Sequence, residues 1–352
     1  MRLLIFEWCC SGGLAGPDAG GMIGANDDVD ALACEGRAMF HAIVADALRD
    51  GGFEVMALVD ESLPIELPPA VRRIVVPHGG EIEALVATAR SADATIVVAP
   101  ETAGVLAARV ATVRAVGGVV LAPSDPIIRL AADKQATIDA LAAAGVPVPA
   151  GRALAAGEAW PECFRLPAVR KARESVGCDG LTVVWPGDPL PAASAGATRL
   201  EALAEGVPVG VSCVMGPGRI WPLAAMRQRF SPGPHPEYLG SDALLEGFRR
   251  GRAALLAVRA IEALVRRDPG VTQAGWVGVD MILGARDDGL DDRVLEVNPR
   301  LTTSFVGLSS GRSGSLVRAI VAAAAGREVA ALDPSAITAF TLSHDMSAAS
   351  PV

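Results

Sequence analysis

Over the first third of the chain, short apolar runs alternate with longer stretches whose apolar positions recur every three to four residues. Arg2 to Phe6 reads as a short buried strand and Ser11-Gly12-Gly13 as a turn. Leu32 to Asp50 reads as an amphipathic helix closed by Gly51-Gly52, and Glu54 to Val59 as a second strand. The pattern continues with a strand at Arg73 to Val76, a helix at Glu81 to Ala89, a strand at Thr95 to Ala99, a helix at Thr102 to Val116 and a strand at Gly118 to Leu121. Such alternation predicts an α/β fold with a parallel sheet covered on both faces. Ligands of such sheets gather beyond the carboxyl ends of the strands, here Glu7 to Gly13 and Pro100-Glu101.

Farther along, Pro123 to Pro126 reads as a linker and Asp133 to Ala144 as a helix ended by Gly145. The pattern then becomes β-rich: strands at Val169 to Ala172, Leu181 to Trp185, Val209 to Met215 and Ile220 to Met226. A long helix from Asp242 to Arg267, strands at Trp276 to Leu283 and Arg293 to Val297, and a helix from Ser313 to Ala325 follow. No solenoid-length repeat is visible. The expected division is 1–122 for an N-terminal α/β domain, 123–205 for a small lobe with a loop, 206–332 for a C-terminal lobe, and 333–352 for a loosely held tail.

Composition narrows the classes. The 352 residues are 51% hydrophobic and 20% charged, enough for a real core and for more than one domain. A net charge of −9 argues against nucleic acid as a partner. Apolar runs stay below the roughly 18 residues that span a bilayer, and Glu7 comes too early for a signal peptide, so a cytoplasmic protein without a membrane partner is expected. Six scattered cysteines form no CxxC or Cys/His cluster, so neither a disulfide scaffold nor a zinc site is indicated, and Cys9-Cys10 reads as core filler. Among 31 basic residues there are only two lysines, Lys134 and Lys171.

The strongest chemical signal is Val277-Gly278-Val279-Asp280 followed, after a hairpin connection, by Leu295-Glu296-Val297-Asn298-Pro299-Arg300. On adjacent antiparallel strands Asp280 and Glu296 can share a face, with Asn298 two residues beyond on that face. Two carboxylates and a carboxamide oxygen suit magnesium on nucleotide phosphates. The alternative is a pair of solvent-facing strand acids, which the apolar surroundings disfavour. Lys134 opening a helix and Lys171 on a strand supply ammonium groups suited to phosphates. The loop Arg173 to Gly180, with Ser175, Gly177 and Gly180, allows backbone N–H groups to approach them. At the strand ends, Glu7 and Glu101 suit a substrate ammonium, and Ser11, Gly12 and Gly13 could offer N–H groups to a carboxylate.

These features resemble the ATP-grasp superfamily of carboxylate–amine ligases, over roughly residues 123–325. The matching parts are Lys134, Lys171 with its loop, the segment Glu201 to Ser212 resembling an adenine-hinge strand pair, and Asp280, Glu296 and Asn298 with Arg300. The resemblance implies an ATP-grasp fold, with an N-terminal parallel α/β (pre-ATP-grasp) domain and two α+β lobes clamping ATP. It implies two Mg2+ ions on Asp280, Glu296 and Asn298, with Mn2+ as a substitute, and both lysines on ATP phosphates. It further places Glu201, Leu203 and Glu205 at the nucleotide hinge, Arg227 and less firmly Gln228 on the triphosphate side, and Arg300 with Lys171 in catalysis. The chain departs from the family where Val207-Pro208 follows the hinge glycine and where Met226 precedes Arg227-Gln228.

Within the superfamily, Leu3 to Glu7 with Ser11-Gly12-Gly13, Ala99-Pro100-Glu101-Thr102, Arg227-Gln228 and Asn298 to Ser304 resemble the tyramine-glutamate ligase group of methanofuran biosynthesis. That likeness implies small-molecule carboxylate and amine substrates, an acyl-phosphate intermediate, and a possible homodimer as in small relatives. A small-molecule kinase and a nucleotide-binding protein without turnover are the other readings the residues leave open.

Overall fold

The structure, a computed structural model, describes residues 1–16, 29–175, 177–178, 180–244, 247–269, 273–310, 314–330 and 339–341. The apolar run after Arg2 forms β1 (Arg2–Glu7), buried along its last five residues. There follow α1 (Val29–Asp50), β2 (Glu54–Asp60), β3 (Arg72–Val76), α2 (Glu81–Ala89), β4 (Ala94–Val98) and α3 (Val105–Ala115). The four strands pair in parallel in the order β3-β2-β1-β4, the topology that the alternation predicts. The expected strand at Gly118 to Leu121 is reduced to one bridge, Thr95 to Val120.

Pro123 to Pro126 is not a linker. Ser124 precedes a helix, α4 (Asp125–Ala132), with proline in its first turn, where its missing N–H costs nothing. Asp133 ends α4 and caps α5 (Lys134–Ala143) by accepting the N–H groups of Gln135 and Ala136. Next comes a small antiparallel sheet of β5 (Gly151–Leu154), β6 (Ala168–Ala172), β7 (Thr182–Val184) and β8 (Thr198–Ala202), in the order β5-β8-β6-β7.

The remaining elements are β9 (Val207–Gly216), β10 (Arg219–Phe230), β11 (Tyr238–Leu244), α6 (Gly247–Val265), β12 (Gly275–Leu283), β13 (Arg293–Asn298), α7 (Ser304–Ser310), α8 (Leu316–Ala324) and β14 (Phe340–Thr341). Six of these strands form an antiparallel sheet in the order β13-β12-β9-β10-β11-β14. The long helix expected from Asp242 is therefore corrected: Asp242 to Leu244 belong to β11, held by β10. The helix expected from Ser313 begins at Leu316, where the Ser315 side chain accepts from Arg318 N–H; Ser313 itself lies outside the described residues. Within the expected tail, Phe340-Thr341 pairs with β11, and apart from Ala339 its other residues fall outside those described.

One core joins the two ends of the chain. Leu3, Ile5 and Ile43 from the first sheet and α1 share a cluster with Val214 and Trp276 of the six-stranded sheet and Phe305 and Ile320 of α7 and α8. The other face of the six-stranded sheet packs on α6 in a second cluster. Asp46, fully buried on α1, ties the first junction together by accepting from Ser315 Oγ at 2.7 Å and Val317 N at 2.8 Å, at the start of α8. Asp46→Ala would strand these donors, and we expect a loss of about 2 kcal/mol in unfolding free energy, read by denaturant titration, with the mutant still folded at low denaturant.

Candidate functional site

Strands β9 and β12 are two-faced. Val209, Val211 and Cys213, with Val277, Val279 and Met281, enter the core under α6. Their other face carries three rows in register: Val214 opposite Trp276, Ser212 opposite Gly278, and Gly210 opposite Asp280. Strand β13 extends two of them, with Asn298 opposite Gly278 and Glu296 opposite Asp280. The surface thus changes along the strands from apolar, through hydroxyl and amide, to acidic. A bulge beside Asp280 leaves Leu295 unopposed, so that Leu295 and Glu296 both border the same space.

That face is the floor of a cleft of about 1070 Å3, its open mouth included. On the floor stand Asp280, Glu296, Asn298 and Arg300; on the opposite wall stand Lys134, Lys171, Ser175 and Gly177. The structure brings these eight residues together around one cleft. Lys134 Nζ lies 3.5 Å from Glu296 Oε2 and donates to the Ser175 carbonyl at 2.7 Å and its hydroxyl at 3.2 Å. Lys171 Nζ lies 2.5 Å from Glu201 Oε1, and the other oxygen of Glu201 accepts from Arg199 Nε at 2.9 Å. The loop after Lys171 is pinned to the start of α5 by Lys134 N–H to the Arg173 carbonyl at 2.9 Å and by the Arg173–Asp133 ion pair. Val176 and Asp179 of this loop lie outside the described residues.

The two acids are polarised in opposite directions. Burial, and then the charge of Glu296, push the Asp280 carboxyl up. Burial would do the same to Glu296, but the charges of Lys134 and Lys171 prevail and hold it below the ordinary value. Asp280 accepts from Gln228 Nε2 and from Asn298 Nδ2, one at each oxygen, both at 2.8 Å. The Asn298 amide nitrogen is thereby engaged and its carbonyl oxygen is left for a cation. Among the described residues no three His, Cys, Asp or Glu side chains cluster as metal ligands. A set of two carboxylates and one amide oxygen nevertheless fits magnesium, a hard cation that keeps waters and takes phosphate oxygens as further ligands.

Other predicted residues are placed elsewhere. Gly180 is exposed with φ +66° and does not border the cleft, and Glu201 reaches it only through Lys171. Leu203 donates its N–H to the Pro167 carbonyl, and Glu205 is exposed; neither lines the cleft. Arg227 pairs with Asp242 at 2.5 Å and does not line the cleft, because alternation along β10 turns Gln228 to it instead.

At the N-terminal end the expected substrate groups are already engaged. Glu7 is buried, accepts from Cys10 N–H at 2.8 Å, and lies so close to α1 that a Cβ on Gly36 would sit 2.5 Å from its carboxylate. Burial pushes its carboxyl up. Ser11 donates its hydroxyl to the Leu58 carbonyl and its N–H to the Glu7 carbonyl, and Gly13 donates to the Trp8 carbonyl. Gly12 turns the chain at φ +93°, with its Cα side facing the Asp60 carboxylate. Glu101 accepts from Arg300 Nε at 2.9 Å. Its charge holds the Arg300 guanidinium above the ordinary value despite burial. Of this group Glu101 is hydrogen-bonded to Arg300 at the cleft, and Glu7 lies within reach of the same guanidinium charge.

The residues that sequence reasoning missed or underweighted are Gln228, Gly210, Ser212 and Glu35, the last reaching the cleft from α1. A signal existed for two: Gly210 and Ser212 alternate with Val209, Val211 and Cys213, a small-polar face opposite an apolar one.

A cleft with paired acids on one side and lysines on the other, behind a parallel α/β unit, is an arrangement suited to polyphosphate and a divalent cation. Comparison with known families agrees: residues 131–304 match the ATP-grasp domain model and residues 53–128 the pre-ATP-grasp domain model. The chain therefore carries a pre-ATP-grasp domain ahead of an ATP-grasp domain. An ATP-grasp superfamily protein from Archaeoglobus fulgidus is similar in structure, with a TM-score of 0.65 and 20% identity over 94% of this chain and 90% of that one. N5-carboxyaminoimidazole ribonucleotide synthetase from Thermotoga maritima gives a TM-score of 0.61 at 18% identity, covering 94% of this chain and 77% of that one. L-amino acid ligase from Bacillus licheniformis gives 0.58 at 15%, covering 91% and 72%. No curated protein matches the chain at a significant level. No helix among the described residues is long and apolar enough to cross a membrane.

The geometry separates Gln228 from the residues around it in the sequence reading. Gln228→Ala is expected to weaken manganese–nucleotide binding about tenfold, through loss of a charge-assisted hydrogen bond to Asp280, while Glu205→Ala and Arg227→Ala stay within about twofold of the parent; calorimetric titration of Mn-ADP checks this.

Proposed function

We propose that this chain is an ATP- and magnesium-dependent, ADP-forming carboxylate–amine ligase that makes an amide through an acyl phosphate. The supporting observation is the meeting of the chain's two lysines with Asp280, Glu296 and Asn298 in one cleft. Lys134 and Lys171 are buried ammonium groups, each ion-paired with one carboxylate, and a polyphosphate offers both of them more charge than Glu296 and Glu201 do. Asp280, Glu296 and the Asn298 carbonyl would hold two magnesium ions, or manganese in their place. Bound there, the metal supplies neutralisation of phosphate charge.

In the first step, a carboxylate oxygen of the acid attacks the γ-phosphorus of ATP and ADP departs. The neutral amine then attacks the acyl carbon and inorganic phosphate leaves. Lys171 would hold the phosphates, and Arg300, fixed by Glu101, would face the negative charge that builds on the transferred group or on the tetrahedral intermediate. Ser175, held by Lys134, would limit the access of water to the acyl phosphate.

For the substrates we propose glutamate joined to tyramine or a tyrosine-like amine, in a methanofuran-type one-carbon cofactor pathway. The support is the likeness of the Leu3–Glu7, Ala99–Thr102 and Asn298–Ser304 segments to the tyramine-glutamate ligase group. ADP release measured with each acid and amine, singly and paired, tests the reaction class: release that requires both, with amide found by mass spectrometry, is expected. Release with one co-substrate alone would mark a kinase instead. Lys171→Ala and Glu296→Ala should each abolish turnover with the fold retained by circular dichroism, and full activity in either would refute the assignment.

A further inference from the structure

Behind Lys171 stands a buried trio of charges that borders the cleft through that lysine. Lys171 on β6 and Arg199 on β8 are directly opposite each other in the small sheet and so share a face. Glu201, two residues along β8 on the same face, takes Lys171 Nζ on one oxygen at 2.5 Å and Arg199 Nε on the other at 2.9 Å. All three side chains are more than nine-tenths buried. Like charges directly opposite destabilise a sheet, and a single carboxylate neutralises only one of the two cations. The trio keeps one formal positive charge in surplus, and Lys171 is where that charge meets the cleft.

The two cations are held differently. Arg199 is fixed from three directions: Nε donates to Glu201, Nη1 to Gln135 Oε1 at 2.7 Å in the first turn of α5, and Nη2 to the Pro149 carbonyl at 3.0 Å. Glycine at 151 makes room for this guanidinium, since a Cβ there would lie 2.9 Å from Nη2. An arginine so engaged cannot follow a ligand. Lys171 instead reaches Glu201 at the end of a flexible four-carbon stem, and its Nζ can swing to an anion in the cleft. Withdrawing Lys171 leaves Glu201 with Arg199 still in place. Without Arg199 the same movement would strand a buried carboxylate with no counter-charge, which is strongly unfavourable.

We propose that Arg199 is a positioning residue of the nucleotide site: it is the standing counter-ion of Glu201, and by staying there it frees Lys171 to pass from that carboxylate to a phosphate. This rests on the ligase reading above for the identity of the anion. The exchange at Lys134 is the counterpart, because a divalent cation that takes Glu296 replaces the charge Lys134 withdraws. Each lysine thus leaves a carboxylate that another cation still neutralises, one supplied with the nucleotide and one built into the small sheet.

The test is calorimetric titration of the whole chain with a non-hydrolysable ATP analogue in magnesium, each variant being checked for its fold by circular dichroism. Arg199→Met keeps the bulk and removes the charge, and is expected to weaken the analogue about tenfold or more, because Lys171 is then the sole counter-ion of Glu201. Adding Glu201→Gln to Arg199→Met removes the carboxylate that traps Lys171, and should bring affinity back to within about threefold of the parent, a rescue that a merely structural arginine would not give. Glu201→Gln alone should also stay within about threefold. Parent-like binding by Arg199→Met, or a double variant no tighter than Arg199→Met, overturns the proposal. Should Arg199→Met fail to fold, the single Glu201→Gln variant decides: a loss of about tenfold there would mean that Lys171 needs Glu201 while it holds the nucleotide, and overturns the proposal as well. In all these cases a parent that binds the analogue leaves the nucleotide site standing, whereas a parent that binds none overturns the ligase reading and this inference with it.

Discussion

Charge compensation across one cleft governs the rest of this structure. Asp280 and Glu296 face each other on neighbouring strands, half-buried on the cleft floor, and burying two carboxylates side by side is costly unless cations offset them. Lys134 reaches Glu296 directly, and Lys171, held by Glu201, adds its field. Asp280 relies instead on two carboxamides, Gln228 and Asn298. The ammonium groups are oriented by these contacts, yet each is bound to partners that a polyphosphate can outcompete. A site so balanced is stable by itself and ready for a ligand carrying both anions and divalent cations.

The fold delivers these groups by simple strand periodicity. One face of β9 and β12 is given to α6 and the core, which leaves Gly210, Ser212, Gly278 and Asp280 on the other. The apolar end of that second face, Val214 and Trp276, merges with the core shared by α1, α7 and α8, so the turn carrying Arg300 and Thr302 is framed by packed elements on both sides. The Glu101–Arg300 pair then links the carboxyl end of the parallel sheet to the cleft.

Local pattern revealed the elements whose stability is local. The alternating strands and helices of residues 2–115 and the hairpin of β12 and β13 carry their periodicity in consecutive residues, and the metal-type triad and both lysines were legible with them. What the pattern misread depends on distant partners. Asp242-Ala243-Leu244 looks like a capped helix start, but pairing with β10 takes it into a sheet. Pro123 to Pro126 looks like a break, although Pro126 is harmless in the first turn of α4. Glu7, Ser11 and Gly13 are polar groups at a strand end, the usual place for a ligand, and only the folded chain shows their hydrogen bonds with Cys10, Leu58, Glu7 and Trp8. The choice of Arg227 over Gln228 was a question of which face of β10 meets Asp280, a matter of register that no single strand discloses.

A crystal structure grown with magnesium and a non-hydrolysable ATP analogue addresses the arrangement most directly. The triphosphate should lie between Lys134 and Lys171 on one side and metal held by Asp280, Glu296 and Asn298 on the other. A nucleotide bound at any other place, or a cleft that stays without nucleotide at saturating concentration, would contradict it.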